Sequence, residues 1–125
     1  MIRLAALLAL SLSACAAAST PATSVGGVAL GCDVKIRFGS YGAGIDRPLS
    51  ETVADMVKAD RDVARSERKP WGREGEYDLC LTAKSKLNAA GMYERYRAML
   101  PPKSLQAPTS IEGPDGKRFE TIGPM

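Results

Sequence analysis

The chain has 125 residues, of which 45% are hydrophobic and 25% charged, with a formal net charge of +3 and no histidine. That length supports one domain around a single core and leaves little for a second. Lys and Arg alternate with Asp and Glu along the chain, which argues against a nucleic-acid footprint. The missing histidines remove Ser–His and Cys–His nucleophilic systems and the commonest metal ligand.

Met1, Ile2 and Arg3 make a short positive start, and Leu4 to Leu12 form an apolar run. The run falls short of the roughly 20 apolar residues that a bilayer span requires. Next come Leu12, Ser13, Ala14 and Cys15, in the order hydrophobic, small, small, cysteine. This stretch resembles the lipobox of bacterial lipoproteins. The resemblance implies that residues 1–14 are a removed signal peptide, that Cys15 carries diacylglycerol, and that its new amino group is acylated too. Ala16 stands where such families commonly use Asp for inner-membrane retention, which implies an outer-membrane address facing the periplasm. An ordinary signal peptide cleaved near Ala16 or Ala17 is the competing reading. Physically, one acyl chain anchors only marginally, at roughly 0.8 kcal/mol per buried methylene, while two or more anchor stably.

Residues 15–30 are then the lipidated Cys15 and a tether rich in Ala, Ser, Thr, Pro and Gly. As a flexible coil the tether reaches on the order of 20 Å; a lead-in strand over Val28 to Leu30 is the alternative. Two cysteines remain, Cys32 and Cys80. An even pair in an exported chain predicts one disulfide, and closing so long a loop is worth about 4 kcal/mol in the chain-entropy picture.

A single small α+β domain is predicted over residues 31–125. Val34, Ile36 and Phe38 alternate with charged neighbours, the pattern of a half-buried strand. Gly39 to Gly44 make a connection, and Asp46 with Pro48 announces a helix whose apolar face is Leu49, Val53, Met56 and Val57, ending near Ala59. A hairpin follows, turning at Pro70, Trp71 and Gly72, with a polar first arm suited to a sheet edge and a second arm carrying Tyr77, Leu79 and Leu81. Asn88 is the expected N-cap of a second helix, which Pro101 and Pro102 stop. Gly113, Pro114, Asp115 and Gly116 mark a second hairpin between Thr109–Glu112 and Lys117–Thr121. The expected fold is a small antiparallel or mixed sheet with two helices on one face. One conflict stands in this pattern. Cys32 shares the parity of Val34, whereas Cys80 points opposite to Leu79; the preferred resolution places Cys32 before regular pairing begins.

The chemistry-bearing candidates are few. Ser66 and Lys69 match S-x-x-K, but Glu67, Arg68 and Pro70 surround them and the partner motifs are absent. Gly39, Gly42 and Gly44 follow a strand, yet no Lys-Ser or Lys-Thr follows and Asp46 would repel an anion. No catalytic set, metal site or cofactor is expected. The suggestive surface is Arg68, Trp71 and Arg73, an aromatic among guanidinium groups, with Tyr41 as a further contact residue. Packing of Trp71 onto the domain is the competing role. The strand, turn and helix from Val34 to Val57 faintly resemble the start of peptidoglycan-binding domains of the outer-membrane protein A type, whose later acidic, Arg-bearing motif has no counterpart here. The resulting expectation is a non-enzymatic lipoprotein bound to the membrane by its lipid and touching an envelope protein or glycan. The alternative is a binding module or inhibitor for a glycan, small ligand or cell-wall hydrolase.

Overall fold

A computed structural model describes residues 31–124. The signal peptide, Cys15 and the tether lie outside the described residues. The elements run β1 (Val34–Phe38), α1 (Arg47–Ala59), β2 (Val63–Pro70), β3 (Tyr77–Ala83), α2 (Lys86–Arg97), β4 (Thr109–Glu112) and β5 (Arg118–Glu120). The five strands form one sheet in the order β2-β3-β1-β4-β5, every neighbouring pair antiparallel. The fold class is therefore α+β, with both helices packed on one face.

The period-two pattern of β1 explains its central place. Val34, Ile36 and Phe38 are fully buried and pair with Leu81, Leu79 and Tyr77 of β3, which carry the same alternation. Ile111 of β4 extends that apolar face. Val53 of α1 and Met92, Tyr93 and Tyr96 of α2 close over it, giving one continuous core. Fully burying side chains of this size is worth about 1.5–3 kcal/mol each.

Asp46 caps α1, accepting the Leu49 amide at 3.1 Å, with Pro48 in the first turn. The second helix corrects the sequence expectation. Its N-cap is Ser85, not Asn88, and Ser85 Oγ accepts the Leu87 amide at 3.3 Å. Ser85 leaves β3 in an extended conformation, so the first helical turn begins at Lys86. The Asn88 side chain reaches away instead, its Nδ2 donating to Asp62 at 3.2 Å. At the other end the helix stops before Pro101, tightened by amides of Met99 and Leu100 donating to the carbonyls of Tyr96 and Arg97.

Cys32 and Cys80 are joined, with their Cα atoms 5.3 Å apart and 48 residues between them in sequence. Cys32 precedes β1, outside the ladder, and so turns to the face opposite Val34; there it meets Cys80, which lies across from Lys35. The conflict of parity is resolved as expected. Beside the bridge, the buried Asp33 carboxylate accepts the Ala83 amide and the Lys86 ammonium, each at 2.7 Å, tying the start of β1 to the start of α2.

The register also sorts the connections. Phe38, Pro70, Tyr77, Thr109 and Glu120 mark one end of the sheet, where the connections 39–46, 71–76 and 102–108 gather. Gly31 and the turn Pro114–Gly116 lie at the other end.

Candidate functional site

Trp71 follows β2 at the first of these ends, on the sheet face that no helix among the described residues covers. Its indole N–H donates to Asp78 Oδ1 at 2.9 Å. Arg37 donates to the same carboxylate through Nε at 2.9 Å and Nη2 at 3.2 Å, a two-pronged contact from β1 to β3. The guanidinium carbon of Arg37 also lies 5.1 Å from the centroid of the Trp71 ring. These side chains meet because the antiparallel register sets Arg37 opposite Asp78 on the uncovered face. Partial burial pushes the Asp78 carboxyl upward, but hydrogen bonds from Arg37 and Trp71 and the charges of Arg37 and Lys35 hold it below its ordinary 3.8. Asp78 is thus an anion at neutral pH and fixes both partners.

The turn beneath is built to hold Trp71 in place. The Trp71 amide donates to the Glu76 carbonyl at 3.0 Å, and the Glu76 carboxylate accepts the Glu74 amide at 2.7 Å. Gly72 has φ +68° and sits directly against that carboxylate, where a Cβ would overlap it. Trp71 is still 40% exposed. Its edge is held and part of its ring is offered to solvent, so neither full packing nor free display describes it.

Tyr41, 48% exposed, belongs to the same end of the molecule. Ser40 Oγ orders its loop by accepting the amides of Gly42 and Gly44 at 2.8 and 3.0 Å. The Tyr41 phenol lies against Gly123, while Gly44 lies against the Glu74 carbonyl of the Trp71 turn. Arg73 is exposed in that turn, with no ion-pair partner among the described residues.

Arg68 parts company with this group. It pairs across from Leu79, so it faces the helix side, where its guanidinium carbon stands 4.2 Å from the Tyr77 ring centroid. Ser66 shares that side, whereas Lys69 faces the other way opposite Asp78, so strand geometry separates the S-x-x-K pair. Cys15 lies outside the described residues. Among the described residues no three metal-ligating side chains converge.

In the sequence Trp71 is marked by its turn, whereas nothing marks Arg37 and Asp78 as its partners. Alternation already placed both on the polar face; only the pairing register shows that they touch. The same face carries a ladder from Lys35 to Glu112 at 3.3 Å and on to Arg118 at 3.6 Å. Comparison with protein-family models, curated proteins and solved structures finds no match.

Proposed function

We propose that this chain is an outer-membrane lipoprotein, anchored through Cys15 and facing the periplasm, whose disulfide-stapled domain is a non-enzymatic interaction module with Trp71 as its contact residue. The carrying observation is the Trp71 indole, immobilised by Asp78 and Arg37 yet 40% exposed. A large aromatic held in one conformation loses little entropy on binding, which is the character of an interface hot spot. Gly31 lies at the opposite end of the sheet, so the attachment point of the preceding chain leaves the Trp71 end unobstructed. A glycan contact is the second reading, favoured by an exposed ring set among hydrogen-bonding side chains.

Two variants test the proposal. Cys15→Ser should move the protein from the membrane to the soluble fraction, and unchanged partitioning would remove the anchor. Pull-downs from envelope extracts should lose a partner with Trp71→Ala that the unaltered chain retains. Retention of every partner would remove Trp71 from the account.

A further inference from the structure

One edge of the sheet is β2. It is the longest strand, with eight residues, and it ends the sheet. Ala64 to Pro70 are exposed along its whole length, and among the described residues no strand pairs with its outer side. From Arg65 to Lys69, past the bulge at Val63–Arg65 and before Pro70, which lacks an N–H, such an edge presents alternate backbone N–H and C=O groups to an incoming chain.

Two further observations narrow what would pair with it. First, α1 does not settle fully onto β2. A recess of about 160 Å³ remains between them, walled by Ala54, Val57 and Leu79 and by Ser66, Lys58 and Arg68. It is an apolar cleft beside a strand edge with cations among its walls. Second, the edge is cationic, and its cations are unpaired among the described residues. Lys58, Arg61, Arg65, Arg68 and Lys69 form no ion pair among the described residues, and residues 1–30 contain no Asp or Glu that would supply one. Glu67 alone opposes them on the strand. At the far edge the situation is reversed: Arg118 of β5 bonds both Glu112 and Glu120.

Charge on an edge strand ordinarily blunts pairing. A surplus of one sign does so selectively, repelling basic strands and other copies of itself while drawing in an acidic one. We propose that the β2 edge is a docking strip for an extended acidic peptide segment of another protein, which adds to the sheet as a sixth strand and seats one apolar side chain in the recess between α1 and β2. An anionic membrane surface would satisfy the cations but would use neither the backbone groups nor the recess. The strip does not include the Trp71 indole, so failure here leaves the Trp71 reading standing.

The test uses the full chain in detergent and a fluorescent octapeptide alternating glutamate with valine, followed by anisotropy. Saturable binding is expected, weakened about tenfold by either Arg65→Glu or Arg68→Glu and unmoved by Lys103→Glu, which makes the same charge change beyond β5. Successive backbone N–H groups of a strand point to opposite sides, so the same peptide is N-methylated once on its glutamates and once on its valines, and the version that loses the inward donors should bind at least about tenfold more weakly. Thermal melts by circular dichroism verify that each variant folds. If one does not, the unmethylated and methylated peptides compared on the unaltered chain decide the matter. Equal binding of the unmethylated peptide and both methylated versions would overturn strand addition, as would failure to saturate at millimolar peptide. Binding to phosphatidylglycerol vesicles without peptide binding would overturn it in favour of a membrane contact.

Discussion

Single residues in this domain are sorted by whether their polar atoms find partners. Asp60 shows the satisfied case. Burial pushes its carboxyl upward, but the Asp62 amide, the Tyr96 hydroxyl and Arg95 together hold it below the ordinary 3.8. Tyr96 donates to it at 2.8 Å, and Arg95 bridges it to Asp62. Tyr77 shows the opposite case, its hydroxyl buried without a partner among the described residues. A buried unpaired hydroxyl costs about 1–3 kcal/mol. Tyr77→Phe should therefore leave stability unchanged or raise it by about 1 kcal/mol, measured as an upward shift of the urea midpoint at constant m-value. A lower midpoint would show that the hydroxyl is bonded.

At the scale of elements, the caps and turns decide where helices begin. Ser85 caps α2 because β3 delivers it in an extended conformation just ahead of the first turn. Asn88, three residues later, is already helical and serves as a strut to Asp62. Ser85→Ala should cost about 1 kcal/mol, the ordinary loss of an N-cap, and lower the helical circular-dichroism signal early in thermal unfolding. Asn88→Ala should act differently. Its loss should be non-additive with Asp62→Ala in a double-mutant cycle, because the two share one bond. Additive losses would show that the Asn88–Asp62 bond contributes nothing to stability.

For the whole molecule, the sheet is held by a hydrophobic core, a disulfide and a set of carboxylates that are buried or half-buried. Replacing both Cys32 and Cys80 with Ser should lower unfolding free energy by about 4 kcal/mol, read from urea titration of the oxidised chain against the variant. Asp33, Asp60 and Asp78 all have carboxyls held below the ordinary 3.8 in the folded state. For each, burial acts upward and is outweighed by hydrogen bonds, from Lys86 and Ala83 for Asp33 and from Arg37 and Trp71 for Asp78. Their contribution is complete above the unfolded value, about 3.9, and is lost as pH falls through the folded values. Stability should therefore hold steady from neutrality to about pH 5 and drop below about pH 4, and Asp60→Asn should flatten that acid limb. Tyr96 has the reverse sign. Burial and then the Asp60 carboxylate push its phenol above the usual 10, so its contribution stands below about pH 10 and is lost as alkali titrates the folded state.

Local rules in the sequence determined most of the elements. The alternation of Val34, Ile36 and Phe38, the Asp46–Pro48 helix start and the two turns each state their structure within a few residues, because strand parity, capping and φ preference are short-range effects; the disulfide spans 48 residues and follows instead from the even cysteine count. The α+β class follows from their order. The sheet order, by contrast, depends on contacts between strands far apart in the chain, and only the tertiary structure set β1 between β3 and β4. That choice brought Arg37 to Asp78, and the turn then carried Trp71 to the same carboxylate. It also parted Trp71 from Arg68, which the sequence places three residues away but strand parity turns to the opposite face. The β2 edge and its recess are likewise tertiary facts, since nothing in the spacing of α1 says how far it will stop short of its neighbouring strand.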